Sequence, residues 1–191
     1  HNEVRDLIAD CLTEVCHGVA VEPALVPLTG QTFTSTTTTT DDNAHLDIAV
    51  SGLYGMRMER SFFDVCIFNT YAPSNAQNSV TACHGYHEHR KKAKYEERVH
   101  HVEHSSFEPL VFSTTGGTAP RASIFLKRLA HLLATKRHIP YSQSMAWVRR
   151  QIGFVLARAV SMCLRGARSA LHRPDRDVDF TATALLTNAA S

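Results

Sequence analysis

Acidic side chains are missing from a long part of this chain. Between Pro109 and Pro174 there is no Asp or Glu, while eleven Lys and Arg fall in the same stretch. A solvated helical surface normally mixes signs, so one sign over this length points to a polyanionic partner such as nucleic acid. The competing reading is an internal match to the first half, where residues 1–108 hold 15 acidic and 8 basic side chains; the two can coexist. Cysteine offers no scaffold either. The five (Cys11, Cys16, Cys66, Cys83 and Cys163) are odd in number, scattered and without a Cys-x-x-Cys pair, which argues against a disulfide framework and a zinc ribbon and for a reducing compartment, nuclear or cytoplasmic. No stretch approaches the roughly 18 apolar residues of a membrane span, so no membrane partner is expected. An initiator Met and a signal-peptide pattern are also missing, and His1 already borders a helical pattern, so the chain reads as a fragment or as the tail of a longer polyprotein. No internal repeat is evident.

What is present is enough apolar content, 43% of 191 residues, to bury a core in one ordinary domain with an appendage. Its most informative run is Arg60 to Asn75, where Phe62, Phe63, Val65, Ile67 and Phe68 are strand formers and Asp64 stands alone among them. Burying a lone carboxylate is costly. A second apolar strand, Leu46 to Val50, carries Asp47, and a short connection containing Gly52 and Gly55 separates the two. Each Asp by itself reads as a strand-end hydrogen-bonding residue. Two neighbouring antiparallel strands bringing both to a shared edge make a site for a divalent cation.

Periodicity orders the rest. Val4, Leu7, Ile8, Cys11, Leu12 and Val15 recur at helical spacing over 3–16, with Gly18 as the stop. Val19 to Leu28 reads as an irregular or edge strand because of Pro23 and Pro27. Thr29 to Asn43, with its run Thr36 to Thr40, reads as a flexible loop. After the strands around 45–51 and 60–69, residues 81–104 read as a largely exposed helix and Phe107 to Ser113 as a strand. Thr118-Ala119-Pro120 opens a helix lined by Ile124, Phe125, Leu129, Leu132 and Leu133, and Ser142 caps a last one through Met145, Val148, Ile152, Val155, Ala159 and Cys163 to Gly166. The order helix, strand, strand, strand, helix, strand and two helices predicts an α/β (α+β) domain, a mixed sheet flanked by helices. Three parts are expected: a core over 1–117, basic C-terminal helices over 118–171 and a disordered tail over 172–191.

That order, with an acid in the second strand and another in the third, is similar to the restriction-endonuclease-like fold with its PD-(D/E)xK signature. More narrowly, the chain resembles the restriction-like endonuclease domain of non-LTR retrotransposons and related reverse-transcriptase-bearing mobile elements. His1-Asn2 matches an Arg-His-Asn motif cut at its arginine, Leu46-Asp47 the Pro-Asp segment, and Asp64-Val65-Cys66 the Asp/Glu-x-Lys segment with Cys66 in place of lysine. Lys91-Lys92-Ala93-Lys94-Tyr95 stands on the next helix, where that family carries a displaced catalytic lysine close to a tyrosine. The resemblance covers roughly residues 1 to 115.

It implies Mg²⁺ or Mn²⁺ held by Asp47, Asp64 and the Val65 carbonyl, and DNA phosphodiester hydrolysis by nicking. It also implies RNA and a reverse transcriptase domain in the same polypeptide as further partners. Lys91 or Lys92 is favoured over Lys94 as the catalytic lysine, Lys91 and Tyr95 being one turn apart. Glu3 and His1 are the candidate auxiliary residues of the first helix, with Glu14 as competitor. Nucleic-acid contacts are assigned to His1, Asn2, Lys94, Arg121, Lys127, Arg128, Arg149 and Arg150. The alternative is a catalytically inactive nucleic-acid-binding module. Cys83, His84, His87 and His89 make a possible zinc set but lack a second ligand pair at zinc-fold spacing. Trp147 and Tyr141 could stack on bases, with burial the competing role for Trp147.

Overall fold

A computed structural model of the chain describes residues 1–54, 59–75 and 77–166. The tail over 172–191, Arg168 and Arg173 of the acid-free stretch, and Gly55 of the strand connection lie outside the described residues. In order, the elements are α1 (Asn2–Val15), β1 (His17–Val21), β2 (Ile48–Ser51), β3 (Arg60–Phe68), α2 (Val80–Val102), β4 (Ser106–Ser113), α3 (Pro120–Arg137) and α4 (Tyr141–Gly166). The sheet runs β1-β2-β3-β4, antiparallel across β1/β2 and β2/β3 and parallel across β3/β4. A mixed α/β architecture is therefore shown. Two compact units divide the chain, His1–Ala159 and Val160–Ser191. In the first, α3 and the start of α4 share the core of the sheet.

Strand periodicity sorts the side chains into two faces. Ile48, Val50, Phe63, Val65, Leu110 and Phe112 point to one side, where Val4, Ile8 and Leu12 of α1, Phe125, Leu129 and Leu133 of α3, and Val148 and Ile152 of α4 cover them. The Phe63 and Phe125 rings meet at 5.0 Å, and Ser144 Oγ donates to the Ala130 carbonyl at 2.7 Å in the buried α3–α4 seam. On the other side Ala49, Phe62 and Phe107 pack with Tyr95 and Val99 of α2, and Phe68 and Val111 with Cys83. Each fully buried large apolar side chain contributes roughly 1.5–3 kcal/mol. β3, paired on both edges and covered on both faces, is the centre of the fold.

Three expectations change. The strand expected over Val19 to Leu28 stops at Val21, and beyond it only Ala24 bridges to His45; Pro23 and Pro27 remove the ladder donors. Asp47 sits one residue ahead of β2, its amide donating to the Phe63 carbonyl at 3.1 Å. The Thr-rich segment is tied down. Glu97 of α2 accepts from the Thr34 and Ser35 amides (2.6 and 3.1 Å) and from Thr38 Oγ1 (2.9 Å). Arg98, fully buried, donates to the carbonyls of Val26 (3.1 Å), Thr39 (3.3 Å) and Asp41 (2.7 Å). A segment whose one apolar residue is Phe33 is ordered here by a neighbouring helix supplying the donors and acceptors that its backbone needs.

The Thr34 and Ser35 amides hold the Glu97 carboxyl down to about 2, below its ordinary 4.5. A depressed folded value means a tether at full strength above about pH 4.5 and lost as pH falls toward 2. Amide hydrogen exchange of residues 34–38, corrected for intrinsic rate, should be protected at pH 7 and lose protection across that acid window, and Glu97→Ala should abolish the protection at pH 7. Equal protection in the variant would show that the loop holds itself.

Candidate active site

Along β3 the residues facing α2 are Phe62, Asp64, Cys66 and Phe68, so Asp64 stands in the strand's buried middle with only 6% of its surface exposed. α2 lies over this face and brings Lys91 Nζ to 2.6 Å from Asp64 Oδ2. The contact falls outside hydrogen-bond angles, which leaves the buried Oδ2 without an aligned donor. Burial pushes the Asp64 carboxyl up, against the pull of Lys91 and His1. Burial also disfavours the Lys91 ammonium, but Asp64 outweighs it and holds Lys91 above its ordinary value. The lysine stays charged, held by the carboxylate beside it.

Asp47 reaches the same region from the entry to β2. Its Oδ2 accepts from the Val65 amide at 2.5 Å. The imidazole of His1, at the start of α1, places Nε2 3.1 Å from Asp47 Oδ2 and 3.1 Å from the Val65 carbonyl oxygen. Asp47, helped by the Asn2 side chain and the Val65 carbonyl, pushes His1 up to about 9 against the effect of burial. A positive charge thus sits where two of the three oxygens expected for a metal converge. In chemical type, the Asp47 and Asp64 carboxylates and the Val65 carbonyl match the oxygen ligands that a hard divalent cation prefers. Among the described residues no group of three or more His, Cys, Asp or Glu could hold a metal ion, the proposed zinc set included.

The other predicted residues divide. Tyr95 is buried against Phe107 (5.7 Å between rings) and lies beneath Lys91 and Lys94, whose ammonium groups stand 5.9 and 4.9 Å from its centroid. Lys92 turns away to Glu96 at 2.7 Å. Glu3 faces Arg158 at 3.6 Å and Glu14 pairs with Arg137 at 2.7 Å. Asn2 supports the site through its Oδ1, 3.0 Å from His1 Nδ1. Cys66, where the family's lysine would stand, has its Sγ 3.9 Å from His87 Nδ1, and burial pushes its thiol up.

Sequence reasoning weighed His87, one turn before Lys91 on α2, only as part of a zinc set and not for its place beside Cys66 and Phe68. Its ring stacks on Phe68 at 4.7 Å. The i to i+4 spacing from Lys91 was the available signal, hidden by the six histidines between His84 and His104.

The acid-free stretch is split by the fold. Arg128 donates to the Leu53 carbonyl at 2.7 Å, and Arg137 lies over the half-buried Trp147 (4.2 Å) while pairing with Glu14. Arg121 stands 3.8 Å from Glu108. These side chains, with Arg158, supply the internal match. Lys127, Lys136, Arg149 and Arg150 are exposed and, among the described residues, have no ion-pair partner. They belong to the helices on the face of the sheet opposite α2. Tyr141 is 43% exposed. No helix among the described residues is long and apolar enough to cross a membrane.

Compared with family models, with curated proteins and with solved structures, the chain found no match in any of the three.

Proposed function

We propose that this chain is a metal-dependent DNA endonuclease domain with a restriction-endonuclease-like core, nicking target DNA within a retroelement-type protein. Asp47, Asp64 and the Val65 carbonyl would hold Mg²⁺ or Mn²⁺. The observation that carries the reading is the buried pair of Asp64 and Lys91 at 2.6 Å, beside an Asp47 whose oxygen and the Val65 carbonyl already share one cationic nitrogen. Metal ions of this kind, when bound, neutralise phosphoryl charge and lower the pKa of attacking water. His1, with its side chain 44% exposed, can swing off Asp47 to make room for the cation. Lys91 then supplies a fixed ammonium at the attacked phosphate and stabilises the charge that develops there. Buried Tyr95 beneath it limits where the ammonium can go. RNA and a reverse transcriptase domain as partners belong to the same reading. The second reading is a nucleic-acid-binding module without catalysis, favoured by Cys66 at the strand position where lysine is usual.

Asp47→Ala and Asp64→Ala should each abolish Mg²⁺-dependent nicking of supercoiled plasmid while leaving DNA affinity within a few-fold of the parent. Nicking at the parent rate in either variant would remove the assignment. An inactive parent that still binds DNA would favour the second reading.

Among the lysines the geometry singles out Lys91. Lys91→Ala should slow single-turnover cleavage by about 10²–10³, the cost of removing one preorganised charge donor, whereas Lys92→Ala and Lys94→Ala should stay near the parent rate. Equal small losses in all three would make the run a solvated face.

The exposed arginines of α4 give an independent measure of the partner. Joint Arg149→Ala and Arg150→Ala substitution should weaken binding to unrelated duplex sequences by similar factors and reduce the slope of log affinity against log salt by roughly two units, about 0.9 per lost phosphate contact. An unchanged slope would confine nucleic acid to the α2 side of the sheet.

A further inference from the structure

Beyond Asp64, the same face of β3 leads through Cys66 to Phe68 and into an open cleft of about 770 Å³ between the end of the strand, the loop that follows it and the first turns of α2. Phe68, Asn69, Asn78, Tyr86, His87 and Arg90 are among the residues that line it. We propose that this cleft seats an unpaired nucleotide of the DNA strand beside the cleaved phosphate, with its base against Tyr86 and a phosphate on Arg90. The inference rests on the nuclease reading for the identity of the ligand and adds to it a demand for locally unpaired DNA.

Four observations support it. The cleft lies where β3 and β4, the parallel pair, both end: Phe68 is in register with Ser113, and the Thr114 amide donates to the Phe68 carbonyl at 2.9 Å. Ligands of open sheets collect outside the carboxyl ends of parallel strands. The cleft is also close to the chemistry, since Phe68 is four residues from Asp64 along one strand face, roughly 13 Å at 3.3 Å per residue, with His87 bridging Cys66 and Phe68.

Tyr86 is left 62% exposed, although its ring is already braced edge-on by His87 (5.4 Å) and approached by the Arg90 guanidinium (5.8 Å). A preordered, exposed aromatic ring in an open cleft is a stacking platform. Arg90 itself is exposed and has no ion-pair partner among the described residues, while the Asn78 amide offers both a donor and an acceptor to a base edge. The fourth observation is size. A space of this volume suits one small ligand, and a duplex whose major groove alone is about 12 Å wide does not enter it.

The test measures binding with metal withheld, so that it does not depend on cleavage. A fluorescein-labelled oligo-dT and a blunt duplex of equal length are titrated by anisotropy in EDTA against the full chain and three variants. The single strand should bind the parent more tightly than the duplex. Tyr86→Ala should weaken single-strand binding about tenfold, within the range of one lost base stack, and Tyr86→Phe should retain it, because the ring and not the hydroxyl is used. Arg90→Ala should reduce the salt slope for the single strand by about 0.7. Both residues are exposed, so neither change threatens the fold. Single-strand affinity equal to the parent's in Tyr86→Ala, or preference for the duplex, would overturn the proposal even if the chain nicks DNA. Loss of binding in Tyr86→Ala together with a parent that never cleaves would uphold the cleft and remove the nuclease.

Discussion

The constraint around which the candidate site is arranged is one carboxylate buried in the middle of the central strand. Holding Asp64 at 6% exposure against Lys91 takes both ions largely out of water, and desolvation costs several kcal/mol per ion that the mutual attraction repays only with excellent geometry. The geometry here is not of that kind, since the Lys91 contact leaves Asp64 Oδ2 without an aligned donor. The apolar residues around it, Phe62, Phe63, Val65 and Phe68, each bury enough surface to hold β3 in place at roughly 1.5–3 kcal/mol apiece. The fold tolerates the ion pair and does not depend on it. A buried charge kept at that expense has a functional rationale and a weak structural one.

Because β3 is covered on both faces, the strand's two sets of residues do separate work. Phe63, Val65 and Ile67 anchor it to α1, α3 and α4, while Asp64, Cys66 and Phe68 face α2. That division lets α2 act as a ruler laid along the strand: Lys91 over Asp64, then His87 over Cys66 and Phe68, then Tyr86 and Arg90 at the cleft. The far end of the helix has another task. Glu97 and Arg98 there fasten the Thr-rich segment, an arrangement of side chain to backbone bonds that orders polar chain without a core of its own.

Much of this was legible in the sequence where periodicity and burial agree. The alternation in β3, the apolar stripe of α1, that of α3 apart from Ile124, which is 53% exposed, and the placement of both Asp residues next to paired strands all follow from pattern. Lys91 was reachable only as one of a pair, because Lys91 and Lys92 differ by a rotation of the helix that the mostly polar flanking residues do not register. The tethering of residues 29–44 was invisible for a different reason. Its partners, Glu97 and Arg98, lie more than fifty positions away, and a polar loop bonded to a distant helix has the same composition as a loose one. The role of His1 likewise depends on a contact to Asp47 across the domain.

Charge is the signal that folding divides. The acid-free stretch is continuous in the chain, but folding assigns Arg121, Arg128, Arg137 and Arg158 to internal partners and leaves Lys127, Lys136, Arg149 and Arg150 exposed on the helical layer across the sheet from Asp64. Interactions between exposed charges fade beyond about 8–10 Å at ordinary salt, and stacked layers are themselves separated by roughly 10 Å. Those exposed cations therefore act little on the carboxylates directly. The cations near the buried carboxylate are instead local to α2: Lys91 at Asp64 and Arg90 at the cleft. On the proposed nuclease reading, a nucleic acid meeting both sets would be gripped remotely and positioned locally, which separates the residues that would set affinity from those that would set the site of attack.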